Sequence, residues 1–133
     1  LDRATTGLVI LTNDGTFAQK MAHPRNKIVK RYHIALDRPL SVHEFQHLKK
    51  GIVLPDGFVK PDTLVFVEGS KRTELFIELH SGKNQIIRRM FQHFGAYVTK
   101  LDRFYYAGLT KRGLVRGAWR YLSSDEVAQL LKA

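Results

Sequence analysis

Residues 28–36 alternate strictly. Ile28, Lys30, Tyr32, Ile34 and Leu36 share one face, and Val29, Arg31, His33 and Ala35 share the other. A period of two is the signature of an extended strand, and a strand with one mostly apolar face needs a second layer to cover it. Residues 84–94 offer that layer: Ile86, Ile87, Met90, Phe91 and Phe94 form an apolar stripe at helical spacing, and Gly95 supplies a C-terminal stop. A helix packed on a sheet is therefore the minimum unit this chain can build.

The remaining segments extend the same plan. Residues 8–12 are rich in branched side chains and predict a buried strand ending at the turn-forming Asn13-Asp14-Gly15. Residues 16–22 predict a short helix cut by His23-Pro24. Ser41 with Glu44 makes a capping box for a helix carrying Val42, Phe45 and Leu48, closed by Gly51. Residues 63–67 and 73–80 predict an antiparallel hairpin across an open loop, and residues 97–109 another strand. Ser123 to Glu126 caps a last helix with Val127, Leu130 and Leu131. The class expected is α+β, a mixed, largely antiparallel sheet with packed helices, and 133 residues suit a single domain spanning 1–133.

Charge narrows the partner. Lys and Arg number 22 against 12 acidic residues, a net +10, which points to a polyanion; nucleic acid fits best because phosphates accept from Arg and Lys and release counterions on binding. No apolar run approaches the ~20 residues of a bilayer-spanning helix, so no membrane association is expected. Cysteine is absent, which excludes disulfides and thiolate chemistry and leads us to expect the cytosol. There is no phosphate-binding glycine loop, no dinucleotide fingerprint and no nucleophile elbow. His43 and His47 lie one helical turn apart but have no third ligand nearby, so no metal is expected.

Three polar positions remain. Asp2 precedes Arg3-Ala4-Thr5-Thr6-Gly7 and the predicted strand, so its carboxylate would sit in a loop fixed by that strand. Tyr32 shares a face with Ile34 and Leu36, where a core tyrosine with a bonded hydroxyl is the ordinary reading. Arg88 and Arg89 fall on opposite borders of the apolar stripe, and helical periodicity does not choose between them. Taken singly, each has a bland explanation: a capping aspartate, a core tyrosine, a solvated pair of arginines.

In combination they carry a family pattern. Residues 1–8 (LDRATTGL), followed by Leu11-Thr12-Asn13-Asp14-Gly15, resemble the active-site motif of the RsuA-type pseudouridine synthases, which modify ribosomal RNA. His23-Pro24-Arg25 through Lys30-Arg31-Tyr32 resembles the family's second motif, and Gly82-Lys83-Asn84-Gln85-Ile86-Ile87-Arg88-Arg89-Met90 its third. The tail, with Leu114, Gly117, Trp119-Arg120-Tyr121-Leu122 and Glu126, is also similar, so the likeness covers essentially the whole chain.

The resemblance implies the catalytic pseudouridine synthase fold and three site roles. Asp2 corresponds to the catalytic aspartate, Tyr32 to the tyrosine beside the target base, and Arg88, six residues beyond Gly82, to the basic partner of the aspartate; Arg89 is the weaker candidate. Isomerising uridine breaks the N1 glycosidic bond, turns the uracil and rejoins it through C5, so a carboxylate must stay ionised beside the sugar, and a bidentate arginine opposes the desolvation that would protonate it. A tyrosine ring can stack on the detached base, and its hydroxyl can help remove the C5 proton. No cofactor is implied. Arg3, Arg25, Lys27, Lys30, Arg31, Lys83 and Arg89 are the expected RNA-facing group, with Lys111, Arg112 and Arg116 as a more distant basic loop. The implied substrate is a uridine in ribosomal RNA, large-subunit RNA being preferred, and a monomer is expected. The family's usual upstream strand and N-terminal RNA-binding domain are expected to be missing from residues 1–133. Two other readings remain open at this point: an RNA-binding module of this fold without turnover, and an unrelated basic binding protein.

Overall fold

The computed structural model describes residues 4–23, 27–80 and 85–132. In chain order the elements are β1 (Thr6–Gly7), α1 (Gly15–Ala22), β2 (Lys30–Leu36), α2 (Val42–Lys50), β3 (Ile52–Leu54), β4 (Gly57–Val59), β5 (Thr63–Phe66), β6 (Glu74–Leu79), α3 (Ile86–Gln92), β7 (Val98–Tyr106), β8 (Leu109–Thr110) and α4 (Ser124–Lys132). Six strands form one sheet in the order β1-β7-β2-β6-β5, with β8 pairing β7; β3 and β4 form a separate hairpin. Among the described residues only the β1–β7 pairing is parallel. The expected class, α+β with a mixed, largely antiparallel sheet, is what the chain adopts.

The alternation of β2 is realised as predicted: Tyr32, Ile34 and Leu36 are buried, and Ile34 pairs with Leu75 of β6 and Leu101 of β7. Covering them are Ile86, Ile87, Met90 and Phe91 of α3, together with Phe45 and Leu48 of α2, whose Phe45 ring stacks on Phe66 at 4.5 Å. The α2 capping box forms in full, Ser41 Oγ accepting from the Glu44 amide at 3.0 Å and Glu44 accepting from the Ser41 amide at 3.0 Å. Arg38 donates to both oxygens of Glu44 and holds that carboxyl down at about 2. A second, smaller core gathers Met21 of α1, Ile28 and Leu130 of α4. Among the described residues no helix is long and apolar enough to cross a membrane.

Three expectations are corrected. Residues 8–12 are not a buried strand: β1 ends at Gly7, and beyond it Val9 and Leu11 stand 54% and 88% exposed. The Leu8 carbonyl is taken by the Arg103 side chain instead of a neighbouring strand, so the ladder stops there; Ile10 still turns inward against the smaller core. The segment 97–109 is broken as well. Ala107 and Gly108, at φ 50 and 94, make a tight turn that folds β8 back on β7. The helix expected over 84–94 is shorter, running Ile86–Gln92 behind a left-handed Gln85; Asn84 lies outside the described residues. The hairpin of β3 and β4 was not anticipated at all.

Candidate active site

The site is organised by three consecutive residues of β7, Leu101-Asp102-Arg103, and by the short segment they hold. Thr6 and Gly7 lie parallel to Asp102 and Arg103. Thr6 Oγ1 donates to Asp102 Oδ1 at 2.6 Å, and Lys111 Nζ donates to Asp102 Oδ2 at 2.6 Å. Burial is the largest influence on that carboxyl and pushes it up, but the hydrogen bonds from Lys111 and Thr6 together carry it below the usual aspartate value.

One residue along, the strands close further. The Leu8 amide donates to the Arg103 carbonyl at 2.8 Å, and Arg103 Nε returns a bond to the Leu8 carbonyl at 2.9 Å. This approach is open only to glycine at position 7. Its φ is +102, and a Cβ there would lie 2.1 Å from the Arg103 carbonyl oxygen.

Arg103 is 8% exposed, and its guanidinium lies 4.5 Å from the centre of the Tyr106 ring. No carboxylate among the described residues pairs with it. Tyr32, on β2, sits directly across from Arg103 and is itself buried. Lys30, two residues earlier on the same face, is half-buried; its ammonium is shifted down by burial first and by the Arg103 cation second. Burial shifts the Tyr106 hydroxyl up, against the pull of Arg103. The result is a positively charged, partly desolvated floor beneath the N-terminal segment, an environment that favours an ionised carboxylate.

Helix α3 completes the arrangement. Arg88 donates from Nη1 to the Val98 carbonyl at 3.2 Å and from Nη2 to the Ala4 carbonyl at 3.2 Å, so its guanidinium spans from the start of β7 to the backbone two positions after Asp2. Its neighbour points elsewhere: Arg89 makes a forked contact with Asp56 in the turn between β3 and β4, one arm of it at 3.1 Å. Arg88 thus donates to the N-terminal segment and Arg89 to the turn between β3 and β4, a difference that helical periodicity does not predict.

Asp2, Arg3, Arg25 and Lys83 lie outside the described residues. Of the other cations expected to face RNA, Arg31 donates from Nε to Glu78 at 2.6 Å and lies 4.1 Å from the centre of the Tyr105 ring, while Lys27 is exposed. Lys27 lines a cavity of about 670 Å³ with Val29, Tyr105, Ala107 and Asp125; Tyr32, Arg88 and Arg103 take no part in it. Among the described residues no three potential metal ligands cluster, and His47 packs edge-on against Phe94 at 5.5 Å. The residues that sequence reasoning missed are Thr6, Asp102 and Arg103. For Asp102 and Arg103 the signal was an acid and a base placed side by side in mid-strand, which a packed sheet tolerates only when both find partners.

This geometry can be set beside known proteins. Residues 1–93 match the family model described as RNA pseudouridylate synthase, and the chain belongs to that family. It is 40% identical over 135 residues to an uncharacterized RNA pseudouridine synthase of Aquifex aeolicus, and 40% identical over 134 residues to the ribosomal large subunit pseudouridine synthase B of Bacillus subtilis. The matches take in 100% and 98% of this chain but 54% of each relative, so the chain spans about half the length of the curated relatives it matches. A solved pseudouridylate synthase superposes with a TM-score of 0.84 at 27% identity, covering 98% of this chain and 56% of that one.

Proposed function

We propose that the chain isomerises a specific uridine of ribosomal RNA, large-subunit RNA by preference, to pseudouridine, with Asp2, Tyr32 and Arg88 as the catalytic set. The observation that carries this reading is the reach of Arg88 out of α3 to the Ala4 carbonyl, since it brings a guanidinium to the segment that bears Asp2 across 84 positions of sequence. The names of the similar proteins from Aquifex aeolicus and Bacillus subtilis agree with it.

In this mechanism the Asp2 carboxylate acts beside C1′ or on the base. Arg88 serves to keep it ionised against desolvation. The N1–C1′ bond breaks, the uracil turns against the flat ring of Tyr32, and C5 bonds to C1′; the C5 proton then leaves with the tyrosine hydroxyl within reach to assist. The product is an isomer of the substrate, so the step balances without oxidant, reductant or outside nucleophile. The target must leave its stack to reach the carboxylate, which favours looped or unpaired RNA, where extrusion costs only a few kcal/mol.

The decisive variant is Asp2→Asn, nearly isosteric with the parent. Tritium release from ribosomal RNA carrying 5-tritiated uridine is expected to stop, while far-ultraviolet circular dichroism and RNA affinity stay at parental values. Release at an undiminished rate refutes the assignment. No release from the parent chain on any ribosomal RNA, with salt-sensitive binding retained, would make it an RNA-binding module of this fold.

A further inference from the structure

Residues 103–124 contain Arg103, Lys111, Arg112, Arg116 and Arg120 and no acidic residue. Part of this run folds in an unusual way. The Leu114 amide bonds to the Lys111 carbonyl at 2.9 Å and the Ala118 amide to the Val115 carbonyl at 3.0 Å, so residues 111–114 and 115–118 are two tight turns in tandem. Each has an arginine at its second position and a glycine of positive φ at its third, Arg112-Gly113 at +74 and Arg116-Gly117 at +83, the pattern of a type II turn. Both arginines are exposed at turn corners, and neither pairs with a carboxylate among the described residues.

Directly after the turns come two rings that folding does not bury. Trp119 is 74% and Tyr121 85% exposed, their centroids 5.2 Å apart and their planes at 90°. The backbone between them is held firmly. Arg120 forms a fork on Glu126, at 2.8 and 2.7 Å, and a further bond to the Tyr121 carbonyl at 3.1 Å; Glu126 also accepts from the Ser123 amide at 2.9 Å, and Leu122 packs on the smaller core. The middle residue is thus spent on anchoring, and its two neighbours face solvent. Large aromatic surface left in water is unfavourable for the folded chain alone, whereas a rigid ring beside unpaired guanidinium groups is what stacking on an unpaired base requires. The run is also tied to the catalytic segment, because Lys111 at its start shares Asp102 with Thr6.

We infer that residues 111–121 form a second RNA contact surface, in which an unpaired base stacks on Trp119 and Tyr121 while Arg112 and Arg116 take adjacent phosphates. This rests on the reading of the chain as an RNA-modifying enzyme and extends it to the nucleotides outside the reactive pocket. The occupant is single-stranded RNA: a duplex offers phosphates to the arginines but hides its base faces from the rings.

Trp119 is the chain's single tryptophan, so its fluorescence reports on this surface alone. Titration of the full chain with an unstructured oligouridylate is expected to quench it saturably; a duplex RNA of equal length and inorganic polyphosphate are expected to leave it largely unchanged. With a labelled oligouridylate read by anisotropy, Trp119→Ala lowers affinity roughly 5- to 150-fold, the usual contribution of one stacked base, and Trp119→Phe recovers most of it. Tyr121→Ala, read by the quench itself, shifts the midpoint to higher RNA. The double variant Arg112→Ala/Arg116→Ala reduces the slope of log affinity on log salt by about 1.4, two phosphates at about 0.7 each on a single strand. Equal quenching by polyphosphate, or Trp119→Ala binding within twofold of the parent, overturns the inference. Because these are binding readouts, they separate from turnover: quenching without tritium release from any ribosomal RNA leaves this surface standing and removes the isomerase reading, and release with Trp119→Ala at parental affinity does the reverse.

Discussion

The tightest constraint in the site is Gly7, and replacing it with alanine tests whether the N-terminal segment is held as described. At φ +102 any L side chain is strained, by about 1–3 kcal/mol. The new Cβ would lie 2.1 Å from the Arg103 carbonyl oxygen and 2.6 Å from its amide nitrogen, where 3.0 Å is the practical lower limit, so β1 and β7 must part by about 1 Å. Both bonds between Leu8 and Arg103 then lengthen beyond use, the amide bond worth about 0.5–1.5 kcal/mol and the guanidinium bond about 1.5–3 kcal/mol. The sum is about 3–8 kcal/mol. The chain can escape it by releasing residues 4–8, since the sheet from β7 to β5 does not rest on them, and global stability therefore falls by no more than the docking energy of that segment. Amide hydrogen exchange separates the two outcomes. At 2 kcal/mol or more, protection of the Leu8 amide drops at least about 30-fold, while Ile34 and Leu75 in the middle of the sheet lose far less, and tritium release falls with Leu8. A Gly7→Ala chain in which Leu8 keeps its parental protection would refute the whole account of how β7 fixes this segment.

Three further outcomes follow from other contacts. Arg88→Met removes the bonds to Ala4 and Val98; at about 1.5–3 kcal/mol for a charged donor it should slow turnover roughly 10- to 150-fold and change RNA affinity much less, so parallel losses in kcat and affinity would contradict its role. Tyr32→Phe keeps the buried ring and deletes the hydroxyl, and should leave the urea midpoint nearly unchanged while tritium release falls about 100-fold or more. Glu44 is held at about 2, first by its hydrogen bonds from Arg38, against an ordinary 4.5. A depressed carboxyl stabilises the fold above its unfolded value and loses that contribution as pH falls, so parental stability should decline between pH 4.5 and about 2. In Glu44→Gln this part of the decline should be missing from the urea midpoint measured across that window.

What was legible in the sequence is what local chemistry determines. Helix α2 carries its start, stripe and stop within residues 41–51, and β2 carries its burial in its own alternation, so both stand where periodicity predicts them. The turn of Pro55-Asp56-Gly57 is an equally local signal for the hairpin of β3 and β4, but strands of three residues are too short to show a period. Residues 8–12 failed for the opposite reason. Their composition suits a strand, but a strand needs a partner ladder, and composition does not reveal that Arg103 has already claimed the Leu8 carbonyl. The site divides along the same line. Asp2, Tyr32 and Arg88 were named from motif resemblance, whereas Asp102 and Arg103 emerged only with the β1–β7 pairing.

That pairing explains why so small a site requires so much of the chain. The bonds that hold the N-terminal segment join residues 84, 95 and 96 positions apart, Arg88 to Ala4, Arg103 to Leu8 and Thr6 to Asp102. Two of them fasten the segment to β7, which pairs with β2, and β2 in turn pairs with β6. The loop closed by these contacts is about two thirds of the 133 residues, so its entropy must be offset by the central sheet. Docking of residues 4–8 therefore depends on the central sheet, whereas the sheet does not depend on it. A core change that weakens the sheet, such as Ile34→Ala at about 2–5 kcal/mol, should therefore cost activity below the temperature at which circular dichroism is lost. It should do so even though Ile34, fully buried on β2, is a partner in none of the bonds just named.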